Sequence, residues 1–428
     1  MFQKGSKKDI RAWAFYDWAN SVYSLVISTA IFPIYYESIA SQTEAPKFDD
    51  TAIYSYSLSL SFLIVAILSP VLSGIADYTG NKKKFMKFFC YMGGLSVMAL
   101  FFFDDVDRLF FGLGFSVLAS VGFWGSLVFY NAYLPEVAFP EQQDKASANG
   151  FIYGYVGSLI LLGFCLFMVM SPETFGMTDA ALPSRISFVL VGLWWIGFAQ
   201  VTFRRLPNNM HKRKPESDYL VKGWRELAKV WKEIKEQENL KKLLYSFFCY
   251  SIGVQTIILL ATVFGSKELG MESSDLIITI MMVQLWGILG AFVFAKVSRR
   301  IGNIGALKIT IGFWASACLL AFFLKADDPN LTLKFYGLGA MIGLCLGAIQ
   351  TLSRSTYSKL IPQDSFDTAT YFSFFDVTEK ISIVLGTIIF GLVVALTGSM
   401  RLSILILGGF FVLGFIILGR IKRSKYVY

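Results

Sequence analysis

The chain alternates long apolar runs with short polar breaks. A run of about 18 residues or more can cross the roughly 30 Å hydrocarbon core of a bilayer as a helix. Such runs occupy 18–38, 54–76, 85–103, 109–132, 150–170, 186–203, 243–264, 276–297, 306–324, 333–352, 370–396 and 402–419. Twelve spans are therefore expected, and an even number puts both ends of the chain on one side. The first run follows Lys4, Lys7, Lys8 and Arg11, but it is too long for a signal-peptide core and has no small-x-small cleavage site. It is expected to be retained as a span.

The longest polar break, 204–242, divides the spans into six and six. Its second half has the spacing of a helix. Ser217 or Asp218 could cap it, and Leu220, Trp224, Leu227, Trp231 and Ile234 form one apolar stripe, with Lys222, Arg225, Lys229, Lys232 and Lys235 on other faces. The expected organisation is a six-helix bundle over 1–205, a cytoplasmic linker with an amphipathic helix over 206–242, and a second bundle over 243–428. The linker helix is expected to lie along the membrane interface.

Composition supports lipid as the solvent. Only 16% of the 428 residues are charged and 55% are hydrophobic, too few charges to cover a water-facing surface. The formal charge of +9 would suggest nucleic acid in a soluble protein, but its placement gives another reading. The N-terminal tail, every second loop and the C-terminal tail hold 31 of the 39 Lys and Arg residues; the opposite loops hold 7, and only Lys380 lies inside a run. Excess cations mark the cytoplasmic side, so both termini are expected there and no nucleic-acid partner is implied. The single histidine, His211, reads as a solvated loop residue. The five cysteines all fall in apolar runs without CxxC spacing, which offers no metal site, disulfide frame or catalytic triad. No cofactor is expected.

Two turns recur at one offset. Gly80, in Asp77-Tyr-Thr-Gly-Asn followed by Lys82, Lys83 and Lys84, lies 222 positions before Gly302 in Arg299-Arg-Ile-Gly-Asn; Pro140 and Pro362, which open the turns after spans four and ten, are also 222 apart. Two parallel six-helix repeats are the design of the major facilitator fold, with substrate bound near the midplane between repeats. The fold class expected is thus an all-α integral membrane protein of twelve transmembrane helices in two six-helix repeats.

These residues also carry a family resemblance. The Asp77-x-x-Gly80-x-Lys82-Lys83 turn is similar to the major facilitator superfamily's cytoplasmic loop between helices two and three, although Ser73 stands where the family's first Gly is usual. The second copy has Arg299 in place of the acid. The opening Trp13-Ala-Phe-Tyr16-Asp17-Trp18-Ala19-Asn20-Ser21 resembles the branch that includes the autophagy-related vacuole effluxers. So do Tyr130-Asn131-Ala-Tyr133-Leu-Pro135-Glu136, Tyr250-Ser-Ile-Gly253-Val254-Gln255-Thr256-Ile257 and Gly347-Ala-Ile-Gln350-Thr-Leu-Ser353-Arg354-Ser355. The resemblance implies solute transport by rocker-switch alternating access, amino-acid efflux being attributed to the vacuolar members. It also implies that Asp77, Gly80, Lys82, Lys83, Arg299, Gly302 and Arg354 serve as gating-loop residues.

An ionisable side chain inside lipid costs about 2.5–3.5 kcal/mol at a helix centre on insertion scales and needs a reason. Span eleven has three: Asp376, Glu379 and Lys380. Asp376 and Lys380 are four apart and can neutralise one another, which leaves Glu379 either bonded to another helix or free to exchange a proton or hold a substrate ammonium. Span one has a polar face of Asp17, Asn20, Ser21, Ser24 and Ser28. Asp17 is expected to cap or pair with a loop cation near the membrane end, and Asn20 and Tyr23 to face a cavity. Trp124, Tyr153, Gln255, Gln284, Trp286 and Gln350 are further candidates for contact with a solute, each with interhelical bonding as the alternative. Gly150, Gly154 and Gly157 would allow close helix approach on span five.

These readings describe a secondary carrier in a multi-pass membrane setting, a bacterial cell membrane in preference to a vacuolar one. The partners expected are a small-molecule solute, the bilayer and a coupling proton or cation, and the chain is expected to act as a monomer. Amino acids or small peptides are the implied solutes; sugar–cation symport and a non-transporting sensor are the alternatives. No GxxxxGK[ST] loop is present for an ATP-driven pump, and clustered nucleophiles or metal ligands for an enzyme are missing.

Overall fold

The computed structural model describes residues 2–41, 50–179, 181–208 and 219–422; His211, Ser217 and Asp218 lie outside them. The described chain is helical, and eleven helices are long and apolar enough to cross a membrane. One of them, Ser273–Phe323, bends at Gly302, whose φ of 76° is not helical, so it supplies spans eight and nine. The other spans are Lys7–Ala40, Tyr56–Thr79, Lys82–Phe102, Val106–Val137, Pro140–Met170, Leu182–Arg205, Glu238–Glu268, Leu331–Leu360, Thr368–Thr397 and Met400–Gly419. Twelve spans result. Several run well past their apolar cores. Span one is helical from Lys7, span five from Pro140, and span ten continues through Arg354 and Lys359, which were expected in a loop.

Span one is not uniform. Its α-helix Lys7–Val22 passes into a π-helical stretch, Tyr23–Ile31, before Phe32–Ala40 resumes. Pro33 lacks an N–H and its ring crowds the carbonyl one turn back. The wider π turns relieve that conflict, and π segments of this kind concentrate at functional sites. Thr29 Oγ1 donates 2.9 Å to the Ser24 carbonyl within the stretch.

Backbone proximity divides the chain into two compact units. The first comprises Met1–Tyr133 and Tyr153–Leu227, the second Leu134–Ile152 and Ala228–Tyr428. In the first unit small residues let helices meet closely, since lipid supplies no hydrophobic force between them. A Cβ on Gly122 would lie 2.5 Å from the Gly93 backbone, one on Gly192 2.5 Å from the Gly94 carbonyl, and one on Gly154 2.5 Å from Ser21 Oγ. Tyr23, Phe123 and the fully buried Trp195 fill the space beside them. In the second unit a Cβ on Gly347 would lie 1.9 Å from the Gly287 carbonyl, joining spans eight and ten. Ser246 Oγ donates 2.7 Å to the Gly414 carbonyl between spans seven and twelve.

The linker helix Tyr219–Glu236 departs from its expected facing. Its packed side is Gly223, Leu227, Val230 and Ile234, with Val230 and Ile234 buried, whereas Trp224 and Trp231 are exposed. In the first unit Gly223 abuts Gly74 and Ile75 of span two. In the second, Lys229 pairs with Asp367 at 2.7 Å and Trp231 stacks on Phe374 at 5.3 Å.

Candidate functional site

The intramembrane charges of span eleven form one cluster. Lys380 Nζ donates to Asp376 Oδ1 at 2.9 Å and to Glu379 Oε2 at 3.2 Å, and the ammonium is 1% exposed. The four-residue spacing places Asp376 and Lys380 on one face, as expected, but Glu379 is not left over. Its second oxygen accepts from Gln255 Nε2 of span seven at 2.8 Å, and its side chain retains 20% exposure while Asp376 keeps 7%. Two carboxylates and one ammonium carry a formal charge of −1. In a low-dielectric bundle such a net charge is costly unless a cationic group balances it. Beside this cluster Tyr250 of span seven and Ser353 of span ten share a hydrogen bond of 2.7 Å, both side chains being buried.

In the first unit Asp17 is buried, and the Tyr130 hydroxyl of span four donates to its Oδ2 at 2.8 Å. A tyrosine from another span is thus one of its partners. Trp13 stacks on Tyr130 with centroids 4.6 Å apart and donates through Nε1 to the Tyr130 carbonyl at 2.9 Å. Asn20 is fully buried. Its Oδ1 receives Ser21 Oγ at 3.4 Å, while its Nδ2 has no partner among the described residues. Tyr23 packs against Phe123 and Trp195, Trp124 meets Phe62 and Phe123 edge-on, and Tyr153 meets Phe15.

The quoted motifs meet in pairs. The Trp13–Asp17 motif meets Tyr130 where spans one and four touch in the first unit, and the Tyr250–Gln255 motif meets Ser353 where spans seven and ten touch in the second. Gln284 and Gln350 are half-buried, and Trp286 is 39% exposed, although its Cβ would lie 3.0 Å from a Cβ on Gly343 of span ten. Among the described residues, neither Gln284 nor Trp286 bonds to the charged cluster.

Both repeated turns depend on left-handed glycine, with φ of 68° at Gly80 and 76° at Gly302. This is why the pair recurs where other residues of the turns differ. In the first copy Lys82 Nζ lies 3.1 Å from Asp77 Oδ1, both side chains buried, and Lys83 donates 2.8 Å to the Leu206 carbonyl. In the second copy Arg299 is exposed, and among the described residues it rebuilds no buried pair of this kind.

Instead the second unit has a polar cluster of which sequence reasoning singled out only Arg354. Asp144, on the first turns of span five, accepts from Lys359 Nζ at 2.7 Å, Asn303 Nδ2 at 2.8 Å and Ser298 Oγ at 3.0 Å, and Lys359 also donates to Asn303 Oδ1 at 3.0 Å. One turn on, Arg354 donates to Ser147 Oγ at 2.9 Å and to the Ser147 carbonyl at 2.8 Å, with its guanidinium 4.0 Å over the Phe151 ring. Glu136 accepts from Thr368 Oγ1 at 3.0 Å. The repeated turns at Pro140 and Asn303 were the available signal; the partners, more than 150 positions apart, were not.

Known proteins share this chain's sequence family and fold. A family model described as vacuole effluxer Atg22 like matches residues 45–426. The MFS-type transporter YxiO of Bacillus subtilis is 31% identical, covering 99% of this chain and 97% of its own length. Autophagy-related protein 22 of Yarrowia lipolytica is 26% identical over 82% of this chain and 72% of its own. Among solved structures, the major facilitator transporter FucP in its outward conformation superposes with a TM-score of 0.71 at 12% identity, covering 97% of this chain and 99% of its own. A bacterial homologue of the iron transporter ferroportin gives 0.65 at 13% identity, with the same coverage. The fold is therefore that of the major facilitator superfamily.

Proposed function

The chain belongs to the Atg22-like vacuole effluxer family of major facilitator transporters, and from that premise we propose that it is a secondary active carrier of small polar solutes bearing an ammonium group, amino acids or small peptides. The observation that carries this reading is the Asp376–Lys380–Glu379–Gln255 cluster. Its formal charge of −1, held between spans seven and eleven, provides a seat for one proton or one solute ammonium at a time. Glu379 is the exchanging group because it is the more accessible acid and because its hydrogen bond to Gln255 links two spans. Asn20, whose buried Nδ2 has no partner among the described residues, is the first candidate for solute contact on span one. Tyr23, Trp124, Tyr153, Gln284, Trp286 and Gln350 stand behind it.

In the proposed cycle the gate lies in the polar clusters at the helix ends. The Asp144–Lys359–Asn303 and Arg354–Ser147 contacts bind a segment of the first repeat, 134–152, to helices of the second repeat. Alternating access releases and recaptures that segment, while the Asp77–Lys82 pair with Gly80, Lys83, Arg299 and Gly302 shapes the two turns. The six-helix bundles at 1–205 and 243–428, the linker at 206–242, cytoplasmic termini, a bacterial cell membrane and monomeric action belong to the same proposal. Lys and Arg placement supports the orientation, and the 31% identity to the Bacillus protein supports the membrane.

The test is uptake of a radiolabelled amino-acid mixture by proteoliposomes under an imposed proton gradient, without ATP. Gradient-driven uptake is expected from the native chain, with its pH dependence lost in Glu379→Gln. Unchanged uptake and pH dependence in that variant would remove Glu379 from the mechanism. Stimulation by sugars alone would move the assignment to sugar–cation symport.

A further inference from the structure

The linker helix Tyr219–Glu236 presents a face that the protein leaves uncovered. Trp224 is 60% and Trp231 47% exposed; seven residues apart, they lie two turns from each other on one side, with the exposed Ala228 between them. The charges around them are sorted by sign. Arg225, Lys229, Lys232 and Lys235 are exposed, against a single exposed acid, Glu236, while Glu226 and Glu233 are turned partly inward. Glu233 is engaged there by the Tyr371 hydroxyl at 2.6 Å. Lys235 Nζ sits 4.9 Å over the Trp231 ring, so that cation and ring share one edge of the helix. The sequence just before the helix adds Lys212, Arg213 and Lys214.

We propose that this face docks on the surface of an anionic bilayer, with Trp224 and Trp231 at headgroup depth and Arg225, Lys232 and Lys235 against lipid phosphates. Indole rings prefer that boundary because they pair a broad apolar body with one N–H, and cations flanking them gain from a negative surface. The depth follows from the tether. The helix ends at Glu236 and span seven begins at Glu238. Lys229, Trp231 and Glu233 hold Asp367, Phe374 and Tyr371 at the start of span eleven. That grip also places the lipid-facing helix two residues upstream of Asp376, so lipid charge bears on the span that carries the charged cluster.

The full chain, carrying Ala228→Cys with a nitroxide, tests this in nanodiscs of phosphatidylcholine alone or with phosphatidylglycerol added. The five native cysteines are buried, which directs the label to position 228. Adding phosphatidylglycerol is expected to lower collision of the nitroxide with a water-soluble nickel chelate about tenfold and to raise collision with oxygen. Arg225→Glu with Lys232→Glu and Lys235→Glu, all surface changes, is expected to abolish that dependence while leaving the elution profile unchanged. Equal nickel access in both lipids, whether high or low, overturns the proposal. High access in both would mean that the face serves a soluble partner. Low access in both would mean that it docks without regard to lipid charge.

Discussion

Removing the ammonium from the span-eleven cluster is the sharpest test of its electrostatics. Lys380 lies 2.9 Å from Asp376 and 3.2 Å from Glu379. With an effective dielectric of about 20, those attractions come to about 6 and about 5 kcal/mol before desolvation of all three groups is subtracted. Breaking a buried pair by deleting one partner typically costs about 3–5 kcal/mol, because a charge is left buried without its counter-ion. Lys380→Met leaves two carboxylates facing each other and is expected to fall in that range. The double change Asp376→Asn with Lys380→Met restores the native formal charge of −1 and keeps the Gln255–Glu379 bond. It is therefore expected to recover at least half of the loss. Stability is read by titrating the micelle-solubilised protein with sodium dodecyl sulfate and following near-ultraviolet circular dichroism. A loss below about 1 kcal/mol for the single change, or a double variant no more stable than the single, would refute the treatment of these residues as one charge-balanced unit.

Three further outcomes follow from other parts of the structure. Asp144→Ala strands the Lys359 ammonium, whose 2.7 Å partner it removes, and is expected to cost about 3–5 kcal/mol in the same titration; adding Lys359→Met should return most of it. Tyr130→Phe deletes the 2.8 Å donor to Asp17 and should destabilise by about 1.5–3 kcal/mol, the range for hydrogen bonds to a charged group, while the Trp13 bond to the Tyr130 carbonyl persists. Gly347→Ala drives a methyl to 1.9 Å from the Gly287 carbonyl and should cost about 1–3 kcal/mol or more, whereas Gly337→Ala, with open space around it, should cost little; thermal inactivation of the two variants side by side checks this.

Spans were legible because a bilayer imposes one length and one polarity on every crossing. The linker helix was legible as a helix because its apolar residues keep a 3.6-residue period. Its facing was not: Trp224 and Trp231 share the hydrophobic label with Val230 and Ile234, but the smaller residues are the ones buried, and the two indoles stay largely at the surface. Helix ends were also hidden, since the first turns of span five and the last of span ten are polar and resemble loop. Those polar turns hold Asp144, Ser147 and Lys359 beside Arg354, so the boundary error and the missed partners of Arg354's cluster have one cause.

The sequence alone determined the solvent, the number of spans, the repeat with its two glycines, and which charges must be explained inside the membrane. Each of these follows from local composition or from self-similarity along the chain. Only the tertiary structure decided how those charges are shared: that Glu379 is held by both Lys380 and Gln255, that Asp17 accepts from a tyrosine hydroxyl of another span, and that Asp144 closes on Lys359 from 215 positions away. Hydrogen bonds and ion pairs act over about 3 Å, and no periodicity in one span specifies which residue of another will come within that distance.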